Sequence, residues 1–401
     1  MGILIIQRII FTCGVIESIL TTSSQNPVVM RAVRFHGRED IRLDEVEEPS
    51  CGIGQVKIRP AFVGICGSGK ILSRAFSSFH LLTELDIHEY LSGPSAVPVT
   101  PHPITSGTLP TVLGHEFSGT VEEIGEGVNN LKVGDKVAVK PNLSDGSCPR
   151  CTMGRFNICN NLGFIGYSGD AGGMSDHVVV DRKHAFKLPD PIPLDIGALV
   201  EPLTVAWHAV SRSPLQVGDT ALVVGAGPIG LAIVQVLKAR GIKTIIAVEI
   251  SQQRRKHAQL FGASHVLDPK EIDAVSKIRE IAGQFQGVPV SFETSGAQAG
   301  LDTALAGLRA RGTMVIVSLW EEKPTINAFP DIVLGEKHVT GAAVFDDGDF
   351  EAVIEAIASG AIQPRPMITS KIGMHEVAEK GFRALINDRD QHVKILVDIS
   401  L

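Results

Sequence analysis

Three side chains of this 401-residue sequence are of the types that hold a catalytic zinc ion. Cys66 lies in VGICGS, His115 in GHE and Glu201 in GALVEPL. A thiolate, an imidazole and a carboxylate can bind zinc in three positions and leave the fourth open for a substrate. Glu116, next to His115, is either a group that orients a ligand or an alternate ligand. The segment at 223–230, VVGAGPIG, is typical of dinucleotide binding, and zinc beside a nicotinamide cofactor indicates alcohol oxidation.

The glycine segment has the context that a dinucleotide site requires, since a predicted strand precedes it and a predicted helix follows it. Its three glycines permit a tight turn, a close approach of the pyrophosphate and close packing of helix on strand. The carboxylate of Glu249, at the end of the next predicted strand, can bind both ribose hydroxyls, which favours NAD over NADP. Arg254 and Arg255 leave this choice open, because a guanidinium can accept a 2′-phosphate. The residues predicted to bind the cofactor are Gly225, Gly227, Pro228, Ile229, Gly230, Glu249 and Arg254.

A second cluster of metal-binding residue types lies in SDGSCPRCTMGRFNIC. Cys148 and Cys151 have CxxC spacing and Cys159 follows them, which is typical of a structural zinc site. Such a site is closed by four ligands, and Asp145 is the candidate for the fourth. A lobe without metal is the alternative, because a carboxylate is a rarer structural ligand beside thiolates.

The bulk composition limits the classes of protein to which the chain can belong. A net charge of −7 gives no electrostatic surface for nucleic acid, and no uninterrupted apolar run is long enough to predict a transmembrane helix. Six cysteines are too few for a disulfide scaffold, and the clustering of three indicates metal binding in a reducing compartment. We therefore expect a cytoplasmic protein that binds neither nucleic acid nor membranes.

The elements that must position these residues change in type along the chain. From Met30 to Glu201, short predicted strands with glycine turns favour a barrel-like β domain, with a proline-rich loop at 94–110 and a loop-rich lobe at 142–165. After Glu201, apolar strands alternate with helices, which predicts a doubly wound parallel sheet. The last segment, HVKILVDI, is a predicted strand that can return to the first domain. The sequence thus predicts an α/β protein with a β-rich domain and a Rossmann domain.

Together these motifs resemble the zinc-dependent medium-chain dehydrogenases, the family of alcohol, sorbitol and butanediol dehydrogenases, over essentially all of 30–401. The resemblance implies a GroES-like catalytic domain formed by 30–200 and 345–401, and a Rossmann NAD-binding domain formed by 201–344. In the catalytic site, the residues that match the family's zinc ligands are Cys66, His115 and Glu201. In the loop-rich lobe, Cys148, Cys151 and Cys159 match three of four structural ligands, and Asp145 stands where many members have cysteine.

Within the family, HPITSGTLPTVLGHEFSG, NLGFIGYSGDAGGMSDHVVV and ALVEPLTVAWHAV most resemble (R,R)-2,3-butanediol dehydrogenases. That resemblance implies hydride transfer between NAD and a secondary alcohol, a vicinal diol or a hydroxyketone such as acetoin. A sorbitol or xylitol dehydrogenase is the alternative, because it uses the same ligand set. A zinc-free reductase of the quinone type is a third hypothesis, against which the Cys, His and Glu set argues. By analogy with the family, we expect a homo-oligomer, either a dimer or a tetramer.

The sequence departs from the family at one point. Family members continue without a break from Gly-Ile-Cys-Gly-Ser to Asp-Ile-His-Glu-Tyr, whereas here the atypical insertion 69–85 separates Ser68 from Asp86. We hypothesise that the insertion is a retained intron translated in frame, because Gly69 and Lys70 can be encoded by GGTAAG, which contains a splice-donor sequence. A genuine loop is the alternative, and it would imply a catalytically impaired relative if it disables the zinc pocket.

Two further expectations concern a proton relay and the N-terminal segment. Ser68 and His88 match the family positions that pass the released proton to solvent, although a solvated loop histidine is the alternative for His88. Residues 1–29 are apolar but lack the basic cluster of a signal peptide, so we expect a true start at Met30 and an extension outside the fold. A targeting segment is the alternative for that extension.

Overall fold

The computed structural model describes residues 28–67, 85–320 and 323–401. Within that part of the chain the first strand begins at Val29, immediately before the predicted start at Met30. Most of the predicted extension at 1–29 therefore lies outside the described residues. So do Ser68 and all of the atypical insertion 69–85 except its last residue.

The first part of the described chain is built mainly from short strands, as the glycine-rich pattern predicts. Its elements are β1 (Val29–Gly37), β2 (Asp40–Glu47), β3 (Gln55–Gly64), α1 (Leu85–Ser92), β4 (Thr111–Val112), β5 (Glu116–Ile124), β6 (Lys136–Val139), β7 (Asn142–Leu143), α2 (Pro149–Thr152), β8 (Gly163–Phe164), β9 (Val178–Asp181), β10 (Ala185–Lys187) and α3 (Leu194–Gly197). Short 3-10 turns cover Phe156–Ile158 and Arg182–His184. The proline-rich segment 94–110 contains neither strand nor helix.

The second part of the chain alternates strands with helices. Its elements are α4 (Val200–Ser211), β11 (Thr220–Val224), α5 (Pro228–Ala239), β12 (Thr244–Val248), α6 (Gln252–Phe261), β13 (His265–Leu267), α7 (Ala274–Ala282), β14 (Val288–Glu293), α8 (Gln298–Ala306), β15 (Leu308–Ile316), β16 (His338–Gly341), α9 (Asp349–Ala358), β17 (Ile368–Gly373), α10 (Ala384–Asn387) and β18 (Lys394–Asp398). Short 3-10 or π turns cover Gly283–Phe285, Phe329–Val333, Arg365–Met367, Met374–Glu376 and Val377–Arg383.

A seven-stranded sheet organises the β-rich part, in the order β10-β6-β5-β3-β18-β17, with β9 also paired to β3. Val56 and Ile58 on β3 are fully buried, in the two-residue alternation of a strand with one face on a core. Pro60 continues this alternation, and an irregularity between Pro60 and Phe62 then shifts the register, so that the next buried residue is Val63. Strand β3 ends at Gly64, two residues before Cys66.

A six-stranded parallel sheet organises the second part, in the order β13-β12-β11-β14-β15-β16. In such a sheet the strand order reverses between β11 and β14, and ligands bind outside the carboxyl ends of the strands at that point. The residues of β11 from Ala221 to Val224 are buried, as expected of a strand covered on both faces. The predicted α/β fold, with a β-rich GroES-like part and a Rossmann sheet, is confirmed.

The chain crosses between the two sheets twice near the candidate site. Helix α4 packs on both α5 and α9, and it places Glu201 in its first turn. The last strand, β18, lies antiparallel to β3, with Leu396 opposite Gly64. Among the described residues, no helix combines the length and apolar character that crossing a membrane requires.

His184, between β9 and β10, makes the stability of this fold sensitive to pH. Its Nδ1 lies 2.9 Å from the carbonyl oxygen of Lys140, and its Nε2 is buried without a hydrogen-bond partner among the described residues. Burial lowers the pKa of His184 from 6.5 to about 4. Below pH 6.5 the unfolded chain therefore binds a proton that the folded chain does not bind, and the free energy of unfolding falls by about 3 kcal/mol down to pH 4.

We expect His184→Gln to flatten this dependence, because the variant has no imidazole to protonate in the unfolded state. Urea unfolding at pH 6.5 and pH 4.5 measures the change, and His265→Gln, on an exposed position of β13, is the matched control. If the wild type and His184→Gln lose equal stability between the two pH values, the buried neutral imidazole is not the cause.

Candidate functional site

Asp86 joins two parts of the chain that the atypical insertion separates in sequence. Its Oδ2 accepts a hydrogen bond from the amide of Cys66 at 2.8 Å, and its Oδ1 accepts one from the hydroxyl of Tyr167. The ring of Tyr167 packs against that of His115, with the ring centroids 5.2 Å apart. Burial raises the pKa of the Asp86 carboxyl, and His115 and these two donors oppose the rise. Asp86 thus fixes the backbone of Cys66 beside the ring of His115.

The structure brings Cys66, His115 and Glu116 together, with one ligand atom from each within 4.8 Å of the others. Nδ1 of His115 is buried, lies 3.8 Å from Oδ1 of Asp86 and has no hydrogen-bond partner in the described part of the chain. An unpartnered buried ring nitrogen is costly unless another group satisfies it. A sulfur, an imidazole and a carboxylate at this spacing fit a zinc ion.

Glu116 is held by a buried lysine. Nζ of Lys394 lies 2.7 and 2.8 Å from the two carboxylate oxygens of Glu116, and it also donates to the carbonyl oxygen of Ile65 at 3.2 Å. Burial alone would lower the pKa of Lys394, but the negative charges of Glu116 and Cys66 outweigh burial and raise it. The charge of Glu116 is therefore balanced without a metal ion.

Glu201, the carboxylate that the sequence predicts as the third ligand, is not part of this close group. It is buried in the first turn of α4, but its carboxylate lies outside the close group of Cys66, His115 and Glu116. Burial raises the pKa of Glu201 well above its usual value, and the nearby Glu116 adds to the rise, which Lys394 opposes. Within the described residues no direct hydrogen bond or ion pair reaches this carboxylate, and Lys394, which is paired with Glu116, compensates it only through its charge.

Of the two residues of the predicted proton relay, the described part of the chain contains His88. His88 is half-buried on α1, the same short helix that carries Asp86. Ser68 lies outside the described residues, so the pairing of Ser68 with His88 stays a prediction.

The second predicted metal group is also brought together. One ligand atom from each of its four members lies within 4.8 Å of the others, and the members are Asp145, Cys148, Cys151 and Cys159. Backbone N–H groups of Cys151 and Asn160 approach the sulfur of Cys148 at 3.5 and 3.4 Å. The N–H of Asn160 is the main reason that the pKa of Cys148 is lowered to about 7, whereas burial raises that of Cys151 to about 12. Thiolate-stabilising amides around clustered sulfurs fit a metal ion.

Asp145 is fixed on this group by its neighbours. Its Oδ1 accepts hydrogen bonds from the amides of Ser147 and Cys148 at 2.8 and 2.9 Å, and its Oδ2 accepts one from Nδ2 of Asn161 at 2.8 Å. These bonds, led by that from Cys148, lower the pKa of the Asp145 carboxyl. The carboxylate of Asp145 is thus fixed in place beside the three cysteines.

The glycine segment forms the predicted turn between β11 and α5. Gly225 has a φ of +97°, and an added Cβ on Gly230 would lie 2.0 Å from the carbonyl oxygen of Gly225. Helix α5 begins at Pro228 directly after Gly227, and half-buried Ile229 follows in its first turn. A Cβ on Gly227 would approach a single atom, Nη1 of Arg254, at 3.9 Å, so its side of the turn is open. A tight turn, a helix start and this opening fit a dinucleotide pyrophosphate.

Glu249 and Arg254 border the same turn. Oε2 of Glu249, which directly follows β12, accepts a hydrogen bond from the amide of Ala226 at 2.7 Å. Nη2 of Arg254 donates to the carbonyl oxygen of Arg389 at 2.9 Å, and burial lowers the pKa of Arg254. Arg255 instead pairs with Asp268 at 2.6 Å, which leaves Arg254 as the arginine that faces the glycine turn.

Three residues at the first site were missed by sequence reasoning. Asp86 had a signal, because it begins the segment at which the family motif resumes after the insertion. Lys394 also had one, since a lone lysine in the apolar strand HVKILVDI calls for a buried anion. Tyr167 had no local signal, because its role depends on a partner far away in sequence.

The alcohol dehydrogenase GroES-like domain family matches residues 52–190, and the zinc-binding dehydrogenase family matches residues 228–359. The (R,R)-butanediol dehydrogenase of Bacillus subtilis (strain 168) is 42% identical over 369 residues, which cover 92% of this chain and 99% of that relative. A crystal structure of 2R,3R-butanediol dehydrogenase from Bacillus subtilis is similar with a TM-score of 0.83 at 41% identity, and the match covers 92% of this chain and 99% of that one.

Two further proteins widen the comparison. The sorbitol dehydrogenase of Bacillus subtilis (strain 168) is 30% identical over 371 residues, covering 92% of this chain and 98% of the relative. A short chain alcohol dehydrogenase from Escherichia coli CFT073, complexed with the cofactor NADH, is 26% identical with a TM-score of 0.78, covering 92% of this chain and 99% of that one. The resemblance inferred from the motifs is confirmed, and this chain belongs to the zinc-binding dehydrogenases of the GroES-like alcohol dehydrogenase type.

Proposed function

We propose that this protein transfers a hydride between NAD and a secondary alcohol or vicinal diol, with (R,R)-2,3-butanediol and acetoin as the preferred pair. The observation that supports this most is that Cys66, His115 and Glu116 lie together with the buried carboxylate of Glu201 nearby, in a chain that also has a glycine turn of the dinucleotide-binding type. The catalytic domain comprises 30–200 and 345–401, and the Rossmann domain comprises 201–344.

The catalytic zinc ligands in this proposal are Cys66, His115 and Glu201. Glu116 lies closer to the other two, but Lys394 already neutralises it, whereas Glu201 is a buried carboxylate with no direct ion pair among the described residues. A divalent ion compensates the charge of Glu201 more directly than that of Glu116. Glu116 is then the alternate ligand, because its carboxylate oxygens are already bound by Lys394.

Zinc bound at this site supplies a Lewis acid, and a nicotinamide supplies the hydride acceptor. Asp86 acts on the site by fixing the backbone of Cys66 and the surroundings of His115. Ser68 and the imidazole of His88 carry the released proton toward solvent in this proposal. The closed group of Asp145, Cys148, Cys151 and Cys159 holds a second, structural zinc.

The choice between the two carboxylates can be tested by substitution. We expect Glu201→Gln to lose the catalytic zinc and at least about a hundredfold in kcat/KM, because an amide removes the charge that the ion compensates. Glu116→Gln should keep the zinc and lose roughly tenfold, as is typical of a residue next to a ligand. Elemental analysis of folded protein, with turnover, measures both effects. Zinc lost from Glu116→Gln and kept by Glu201→Gln would reverse the assignment.

The preference for NAD depends on Glu249 in this proposal, because its carboxylate repels a 2′-phosphate. Glu249→Ser should raise the KM for NAD about tenfold and lower that for NADP, since the repulsion is removed and Arg254 remains. Initial rates with both cofactors measure the change. An unchanged ratio of kcat/KM for the two cofactors would assign the selection to another residue.

The substrate and the effect of the insertion can be tested together. We expect kcat/KM for (R,R)-2,3-butanediol to exceed that for sorbitol at least about tenfold. Deletion of 69–85 should keep or increase this activity, because Asp86 already contacts Cys66 across the insertion. Faster turnover of sorbitol would favour the polyol alternative. A deletion variant that is active beside an inactive 401-residue chain would identify the long form as impaired.

A further inference from the structure

Glu293 is a fully buried carboxylate that neither the metal groups nor the glycine turn uses. It is the last residue of β14, at the carboxyl end of the strand beside β11. Among the described residues no cation pairs with it. Hydrogen-bond donors compensate its charge instead, and all of them lie in the turn after β14 or after β15.

Oε1 of Glu293 accepts three hydrogen bonds from the turn that follows it. The amide and the hydroxyl of Ser295 donate at 2.7 and 2.6 Å, and the amide of Gly296 donates at 3.1 Å. Oε2 accepts a bond from the hydroxyl of Ser318, which follows β15. One carboxylate therefore ties two adjacent strand ends together.

The turn that Glu293 orders packs directly on the glycine turn. Oγ1 of Thr294 donates to the carbonyl oxygens of Val224 and Gly225 at 2.9 and 2.8 Å. An added Cβ on Gly225 would lie 2.9 Å from the amide nitrogen of Ser295, and one on Gly230 would lie 2.9 Å from Oγ1 of Thr294. The backbone of 293–296, which we call the wall, thus packs against the glycine turn.

This contact lies at the carboxyl ends of β11 and β14, where the strand order of the parallel sheet reverses and where dinucleotides bind on such sheets. We infer that Glu293 is a positioning residue for the cofactor: through its bonds to Ser295, Gly296 and Ser318 it holds the wall against which the dinucleotide binds. The inference rests on the proposed use of a nicotinamide dinucleotide. Glu293 then acts on cofactor affinity, although it belongs to neither metal group.

The test measures the Kd of NADH by fluorescence titration of the full chain, without alcohol substrate. Glu293→Leu removes the acceptor, and we expect the Kd to rise at least about tenfold because buried donors are left unpaired and the wall moves. Glu293→Gln should restore the Kd to within about threefold of the wild-type value, since its oxygen can accept the three bonds and its amide can donate to Ser318. With saturating NAD, the kcat of Glu293→Leu should stay near the wild-type value while the KM for NAD rises.

Ser291→Ala is the matched control, because Ser291 is buried on the same strand and its hydroxyl has no partner among the described residues. It should leave the Kd unchanged. If Glu293→Leu does not fold, Ser318→Ala carries the test, with an expected rise in Kd of about threefold at an unchanged melting temperature. If folded Glu293→Leu binds NADH with wild-type affinity, this inference is wrong while the proposed function stands. If Glu293→Leu does not fold, wild-type affinity in Ser318→Ala has the same consequence. If the wild type binds neither NADH nor NADPH, the proposed function is wrong as well.

Discussion

The metal pocket contains three buried carboxylates that act on one another electrostatically, those of Asp86, Glu116 and Glu201. It also contains one buried ammonium group, that of Lys394, which pairs with Glu116. Burying a charge is costly unless an opposite charge or several donors compensate it. Asp86 has two hydrogen-bond donors and Glu116 has a direct ion pair with the lysine, whereas Glu201 has neither a donor nor a direct ion pair in the described part of the chain and is compensated by Lys394 only through its charge. The pocket therefore has an excess of negative charge that a divalent cation beside Cys66 and His115 would relieve.

The fold assembles this pocket from segments that are distant in sequence. Glu116 and Lys394 are 278 positions apart, and they meet because β18 returns to lie beside β3, which itself pairs with β5. Helix α4 brings Glu201 from the start of the Rossmann part, so the metal pocket and the parallel sheet share an element. On that sheet the wall ordered by Glu293 faces the glycine turn. Both sites thus depend on buried carboxylates with distant partners.

Sequence reasoning located the groups whose members are close together in sequence. The CxxC group with Cys159 and the glycine turn with Gly225 are set by spacing within a short segment, and the structure assembles both groups. It was less successful where partners are distant. The pairing of Glu116 with Lys394 could not be derived from the sequence, because it depends on the return of β18 to β3. Glu293 had no signal in the sequence, because its partner after β15, Ser318, has no fixed spacing from it.

Zinc K-edge absorption spectroscopy on the folded full-length chain, prepared without chelators, tests the central claim most directly. The charge imbalance around Glu201 predicts bound zinc whose nearest neighbours include sulfur, nitrogen and oxygen. It also predicts that Cys66→Ser removes one sulfur contribution and leaves that of the Cys148 group. A folded wild-type chain that contains no transition metal, or a spectrum that Cys66→Ser does not change, would contradict the account.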